Sequence, residues 1–405
     1  MSPNRPLSVA LVAEEDPGWG GIGTYTGVLA RALRDLGHRV HLILRGWEED
    51  SCQVHDGLVV HRVVVPEPRW RHGTVAAISR LYTARESLVF SARVSRCVIG
   101  LAREEGVCVV EAPEFHAANL LSALRTRALR RPPAVVTRLH MPSYLTAEMD
   151  GEPRTGDLRA QELLEHLSVR AATAISSPSA ALAAKVSRRW RLAPHRIRIV
   201  PNPIDAELFA PEDRERRSAG ILVAGRVEPG KGQDVMIEAL PAIRRVVPQA
   251  RLHLVGEDGR GGTVTAALRA RARDLGLDDH AVTVAGAVDR EAMPPIYRSA
   301  SVCVVPSRFE AFGYTCVEAM ACGRPVVASQ AGGPGEIISD GHDGRLVPPG
   351  EPAALAEAVA ELLVDAHARE RIGNAARETV LRRYAAPAVA GQMTELYATA
   401  SESVR

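Results

Sequence analysis

Residues 304–329, VVPSRFEAFGYTCVEAMACGRPVVAS, constrain the fold more than any other stretch of the chain. An apolar run reads as a buried strand, a short polar loop follows, and a helix-compatible segment begins near Gly313 and stops at Gly323. A second buried strand covers 325–329. Strand, loop, helix and strand make a βαβ unit, whose loop lies at the carboxyl end of the first strand, where open α/β sheets place their ligands.

Two carboxylates mark this unit, Glu310 in the loop and Glu318 on the helix. Eight helical positions span roughly 12 Å, which suits a ligand longer than a single sugar ring. A glutamate on a helix is ordinarily a solvated charge. Glu318 sits inside CVEAMACG, too apolar on both sides for a solvent-facing helix, and Glu310 precedes Ala311, Phe312 and Gly313, whose amides stand at a helix start and attract an anion.

Glu310 and Glu318 with seven residues between them, followed by Ala319, Met320, Ala321, Cys322, Gly323, Pro325 and Val326, resemble the E-x7-E signature of retaining glycosyltransferases of family 4, which have the GT-B fold. The resemblance implies an α/β protein of two Rossmann-like, doubly wound parallel-sheet domains facing each other across a cleft, with a C-terminal helix crossing back to the first. The 405 residues suit two domains of about 200 each. The expected division is an acceptor-binding domain at 1–205, joined by a helix at about 386–405, and a donor-binding domain at 206–385. With 46% hydrophobic and 24% charged residues the chain can build sizeable cores, which excludes a disordered or low-complexity protein.

The N-terminus passes straight into an apolar strand instead of a signal-peptide core, and no uninterrupted apolar run is long enough to span a bilayer. A soluble, cytoplasmic protein is the expectation. The six cysteines form no CxxC pair and read as buried thiols, so no metal site is expected. Residues 1–205 carry 27 Lys and Arg against 21 Asp and Glu, and the remainder 23 against 27. The basic bias of the first half fits an anionic acceptor or a membrane surface as well as ordinary surface variation. Only two lysines occur, Lys185 and Lys231.

Taken in order, a strand at 7–13 leads through the loop EEDPGWGGIG into a helix at 24–36. Glycines between strand and helix let backbone approach a phosphate, or merely make a tight turn. The spacing is not that of a dinucleotide fingerprint. GGIGTYTGVLARALRDLGHRV resembles the first βα turn of the family, which implies that 20–23, with Gly21 and Gly23, face the donor diphosphate and the acceptor. Further strands are read at 40–44, 59–65, 107–111, 135–138, 174–176 and 197–200, with helices between them. The arginine-studded segment 69–103 reads as a helix pair, and its apolar face is more simply core than membrane-docking.

Glu111, Glu114, His116 and His140 are placed just beyond strand carboxyl ends. A lone histidine is usually structural, but a histidine after this strand commonly contacts the transferred sugar in the family. Glu111, Glu114, His116 and Tyr144 are acceptor-side candidates, and the loop at 142–157 is a candidate lid. The Pro-rich segment RIVPNPIDAELFAPED marks the domain boundary and resembles the family hinge, with Asn202 in the usual asparagine position.

ILVAGRVEPGKGQDVMIEAL opens the second half with a strand, Arg226, Lys231 and a helix. Two cations at a strand-to-helix turn suit a diphosphate, Arg as a bidentate donor and Lys as a point charge. The segment resembles the family's G-R-x-x-x-x-K-G element, with Gly230 in place of the usual acid. Strands at 251–255 and 282–285 follow, and the turn at 286–288, ending in Val288, is the one that reads the nucleobase through backbone in the family. SQAGGPGEIISDGHDGRLVPPG resembles the closing segment.

The resemblance implies a retaining transfer of a hexose-type sugar from a uridine or guanosine diphosphate sugar, without metal or cofactor. Glu310, His140, Arg226 and Lys231 are the catalytic candidates. Donor contacts are expected from Gly21, Gly23, Arg226, Lys231, Val288, Glu310, Ala311, Phe312, Gly313 and Glu318. Attack on the same face, with the leaving phosphate as base, fits the lack of an obvious carboxylate nucleophile. A small-molecule or glycan acceptor is expected, with secondary metabolism as one setting; nucleic acid is not a partner. Membrane association is not expected but stays open. The alternatives are an enzyme acting on a lipid-linked acceptor at a membrane surface and a non-catalytic nucleotide-sugar-binding protein; a phosphorylase would need a suitably placed pyridoxal phosphate lysine.

Overall fold

Runs such as SVALVA and VCVV have no polar face to turn to solvent, so they form the interior strands of parallel sheets covered on both sides by helices. The computed structural model describes residues 6–66, 81–212, 219–259 and 261–404. It divides into two compact units, 1–203 with 386–405, and 204–385.

The first unit runs β1 (Ser8–Ala13), α1 (Gly20–Asp35), β2 (Arg39–Gly46), β3 (Ser51–His55), β4 (Leu58–Val64), α2 (Tyr82–Glu104), β5 (Val109–Pro113), α3 (Leu120–Arg125), β6 (Ala134–Arg138), α4 (Ser143–Met149), α5 (Gly156–Ala171), β7 (Ala174–Ser177), α6 (Ala180–Trp190) and β8 (Ile197–Ile199). Its sheet has the order β3-β4-β2-β1-β5-β6-β7-β8. Every neighbouring pair is parallel except β3 with β4, so Val9 stands beside Val40 on one side and Val109 on the other. Phe90, Val94 and Val98 of α2 pack on Ala10, Val12 and Val110 of the sheet. Side-chain caps start α5 and α6: Thr155 Oγ1 accepts from Leu158 N at 3.1 Å and Ser179 Oγ from Leu182 N at 3.2 Å.

The second unit runs β9 (Gly220–Ala224), α7 (Gln233–Val246), β10 (Arg251–Val255), α8 (Thr263–Asp274), β11 (Val282–Ala285), α9 (Met293–Ser299), β12 (Val302–Val305), α10 (Tyr314–Ala321), β13 (Val326–Ser329), α11 (Pro334–Ile337), β14 (Arg345–Val347), α12 (Pro352–Val364) and α13 (Ala366–Arg383). All six strands are parallel, in the order β11-β10-β9-β12-β13-β14. The last helix, α14 (Ala386–Glu402), belongs to the first unit, where it packs on α1 and bonds His38 Nε2 to Thr394 Oγ1 at 3.0 Å.

Several expectations are corrected. The glycines 20–23 form the first turn of α1 and not a loop. Most of the expected lid at 142–157 is helical, as α4 and the start of α5. Glu111 lies inside β5, in register with Val136, and not beyond its end. The antiparallel edge strand β3 was not foreseen, and neither was the exposure of Cys52. The part of the 69–103 segment before residue 81 lies outside the described residues; the rest is the single helix α2.

Candidate functional site

In the second unit the carboxyl ends of β9 and β12 deliver two loops to one place. After β12, the backbone of Glu310 is fixed by 331–333: Glu310 N donates to Ala331 O at 3.1 Å and Gly333 N to Glu310 O at 2.8 Å. Gly332 carries this approach, because a Cβ there would stand 2.0 Å from the Glu310 carbonyl oxygen. After β9, residues 229–231 make a single 3-10 turn, and Arg308 N donates to Gly230 O at 2.9 Å. The two loops are thereby locked together. Lys231 Nζ donates to Glu310 Oε1 at 2.8 Å, and Ser307 Oγ donates to the same oxygen at 2.7 Å. The Glu310 residue is 8% exposed, so this is a charge pair at the mouth of the fold and not a solvated surface contact.

Glu318 forms a second cluster. Helix α10 is buried almost all round, which forces its one carboxylate to find partners inside the protein. Tyr297 Oη donates to Glu318 Oε2 at 2.8 Å and Arg290 Nη1 pairs with Oε1. The Arg290 guanidinium lies over the rings of Phe209 and Tyr314, at 5.0 and 5.6 Å. The burial of Tyr297, then the charge of Glu318, pushes the phenol well above its usual range, so the hydroxyl stays a donor.

Of the expected donor residues, Lys231 and Glu310 meet directly, whereas Arg226 turns to Glu228 at 2.7 Å with its side chain 63% exposed. Phe312 packs its ring into the core against Tyr314 and Tyr384, at 5.3 and 5.9 Å. Ala311 is buried beside it, Gly313 precedes α10 with a left-handed φ of 104°, and Val288 packs on the same core. Sequence reasoning missed Ser307, Arg290 and Tyr297. The available signal was Glu318 itself, since a carboxylate in an apolar helix requires a cation and a hydroxyl nearby.

In the first unit the expected acceptor-side carboxylates are spent on the chain itself. Glu114 is fully buried, and its two oxygens accept from His140 N at 2.9 and 2.8 Å. Burial, and then the neighbouring Glu165 carboxylate, push the Glu114 carboxyl up to about 8. Glu111, 2% exposed, accepts from Tyr25 Oη at 2.7 Å. Burial raises Glu111 and the Arg138 charge opposes that shift. These placements make both glutamates scaffold for the loop after β6 and for α1, which corrects the expectation that they face a ligand.

That scaffold holds His140. Its ring meets Tyr25 edge-on at 4.9 Å. Burial, then Arg138, hold the imidazole well below its usual range, so it is neutral. Arg138 is itself fully buried, donating to Val200 O and to Asn202 Oδ1, both at 2.7 Å. His116 has a left-handed φ of 55° and its Nδ1 lies 2.8 Å from Glu14 Oε1. Burial alone would lower this histidine, but the bond to Glu14 and the surrounding carboxylates outweigh it and raise it. Tyr144 turns inward, its ring edge-on to Trp190 at 5.8 Å and covered by Arg189 at 5.3 Å. Gly21 is exposed, while Gly23 is buried with its N–H aimed at Glu15 Oε2 at 3.3 Å; a Cβ at Gly23 would stand 2.3 Å from the Asp16 carbonyl oxygen. Among the described residues no group of His, Cys, Asp or Glu could hold a metal ion, and no helix is long and apolar enough to cross a membrane.

Comparison with known proteins agrees with this architecture. The family model described as Glycosyl transferases group 1 matches residues 205–379, and the Glycosyl transferase 4-like domain matches 20–203. A D-inositol 3-phosphate glycosyltransferase of Acidothermus cellulolyticus is 38% identical over 42% of this chain and 41% of its own length. One of Kribbella flavida is 29% identical over 89% of this chain and 86% of its own. The sucrose-phosphate synthase structure from Thermosynechococcus elongatus superposes over 98% of this chain and 100% of its own, with a TM-score of 0.77 at 23% identity. The fold is therefore that of the GT-B proteins, and with two successive family models spanning almost the whole chain, it belongs to the family 4 glycosyltransferases.

Proposed function

We propose that the chain transfers a hexose-type sugar from a uridine or guanosine diphosphate sugar to a small-molecule or glycan acceptor, with retention at the anomeric carbon. The observation that carries this reading is the Lys231–Glu310–Ser307 cluster at the carboxyl ends of β9 and β12. A diphosphate arriving there would meet the Lys231 ammonium, and the exposed Arg226 would add a bidentate clamp. As the bond to the phosphate breaks, these cations would stabilise the leaving charge. Glu310, released from Lys231, would orient the sugar and steady positive charge on its ring, and Glu318 would accept from the ribose hydroxyls. The neutral His140 would offer a hydrogen bond to the sugar without adding charge. Attack from the same face, with the departing phosphate taking the acceptor proton, needs no protein nucleophile. The proposed setting is cytoplasmic. The relatives' names make a phosphorylated cyclitol one acceptor to test.

Calorimetric titration with uridine and guanosine diphosphates and their glucose, mannose and N-acetylglucosamine conjugates tests the reading. One nucleotide series should bind, and Lys231→Ala should weaken it roughly thirtyfold, the worth of a charge-assisted contact of about 2 kcal/mol. If neither series binds, or if Lys231→Ala binds as tightly as wild type, the donor site lies elsewhere.

A further inference from the structure

Glu318 and the side chains around it are balanced in charge but not in hydrogen bonds. A carboxylate has about four places at which to accept, and side chains fill two of them here, Tyr297 Oη at 2.8 Å and Arg290 Nη1. A guanidinium carries five N–H donors, and among the described residues Arg290 bonds through them to Glu318 alone. Its Nη2 is closed off from water and has no partner among those residues. Buried donors are nearly always paired, so this one calls for an explanation.

Neutralising Glu318 is the simplest role for Arg290, and it falls short. A single ammonium would neutralise the carboxylate without a planar fork. Arg290 instead lies over the rings of Phe209 and Tyr314, which fix the plane holding its remaining N–H groups. The corner is not sealed, since the Arg290 side chain is 16% exposed and that of Glu318 7%. A phosphate arriving there would meet the Glu318 charge and an ammonium the Arg290 charge, so neither ion gains. A hydroxyl gives one hydrogen and accepts another, which is what spare carboxylate lone pairs beside spare guanidinium hydrogens require. Arg290 stands two residues beyond Val288, at the expected nucleobase turn, and Glu318 on the helix that starts just after Glu310. In a nucleotide, the group between base and diphosphate is the ribose with its hydroxyls.

We propose that Arg290 is a specificity-determining residue of the donor site, donating to a ribose hydroxyl whose own hydrogen goes to Glu318. The inference rests on the donor reading above, in which Glu318 accepts from the ribose, and supplies the other half of that contact. The pair selects a ribonucleotide over its deoxy analogue, because a missing hydroxyl leaves a donor and an acceptor unmatched together. Tyr297 does not take the part of Arg290. Its burial and the Glu318 charge keep the phenol protonated, and its one hydrogen is already given to Glu318.

Calorimetric titration of the full chain and of Arg290→Lys tests it, using uridine and guanosine diphosphates with their 2′-deoxy and 3′-deoxy forms. Lysine keeps a cation for Glu318 and loses the fork whose second arm the ribose needs. For the nucleotide that binds, wild type should lose about a hundredfold in affinity when the bonded hydroxyl is removed. Arg290→Lys should bind the ribonucleotide about thirtyfold more weakly than wild type, and that deoxy form within about threefold of wild type. Should this variant not fold, Arg290→Gln, a neutral arm too short to serve Glu318 and a ligand together, decides the same point. A wild type that binds the nucleotide, loses it with Lys231→Ala and ignores both deoxy substitutions would leave the donor reading standing and overturn this one. So would a variant that weakens ribo and deoxy forms equally, since Arg290 would then act on the fold alone. If wild type binds neither nucleotide, the donor reading falls and this inference falls with it.

Discussion

Two pairs of glutamates near strand ends behave in opposite ways. In the second unit Glu310 and Glu318 each face a cation and a hydroxyl, Lys231 with Ser307 and Arg290 with Tyr297. In the first unit Glu114 faces backbone amide and Glu111 faces a phenol, with burial raising both toward the protonated form. A carboxylate held by a side-chain cation can give that cation up to a phosphate and accept from a ligand hydroxyl instead. One that accepts from a buried amide cannot leave without stranding the donor. The lesson is that a glutamate at a strand end is not yet a site; the chemistry of its partner decides.

Removing the cation from the buried Arg290–Glu318 ion pair of the second unit gives the largest expected effect. Arg290→Ala strands Glu318, which is 6% exposed, and should cost about 3 kcal/mol in urea denaturation, the usual scale for breaking a buried pair by deleting one partner. Adding Glu318→Gln should recover a large part of that loss, since the buried charge is then gone. If the double variant is as unstable as the simple sum of the two, Arg290 stabilises through its contacts with Phe209 and Tyr314, and the contrast between the pairs weakens.

Legibility in the sequence follows the same division. Five of the six strands of the second unit are followed directly by Gly or Pro, and Glu310, Glu318 and Lys231 stand in motifs that follow strands readable from the sequence. Their partners Arg290 and Tyr297 were not legible, because DREAMPPIYR has no pattern that points toward α10. In the first unit the hairpin of β3 and β4 carries a local signal: Asp56 and Gly57, with φ of 50° and 71°, form a two-residue primed turn between alternating strands. The inward turn of Glu111, Glu114 and Tyr144 was not legible. Motif position places a residue along a strand, but facing depends on packing partners as distant as Trp190 and Tyr25.

Glu114 supplies a pH test of intermediate size. Its carboxyl titrates near 8 in the folded chain and near the ordinary 4.3 when unfolded, so between these values the folded state holds the extra proton. Stability from this group is fully present below the unfolded value and drains as pH rises through the folded one. Between pH 6.5 and 8 this group should lose about 2 kcal/mol of stability, partly offset near pH 6.5 by His140, which is neutral in the folded chain but still partly protonated when unfolded. Glu114→Gln keeps an acceptor for the His140 amide and should flatten that part of the denaturation profile. A variant with the wild-type slope would move the titration to Glu165, which burial also raises.

The smallest effect sharpens the comparison from the side of Glu111. Tyr25→Phe keeps the ring against His140 and beneath Arg138, at 4.9 and 4.8 Å, and removes only the hydroxyl that donates to Glu111. A buried hydrogen bond of this kind contributes about 1 kcal/mol, which a urea midpoint resolves. Glu111 in the protonated form would tolerate the loss, because a neutral carboxyl costs far less to bury than a carboxylate. The expected signature is thus a modest loss that grows as pH rises and Glu111 ionises. A loss of several kcal/mol that does not change with pH would mean that Glu111 is charged when buried, neutralised by Arg138 alone, and the two pairs of glutamates would then differ in the chemistry of their partners and not in charge.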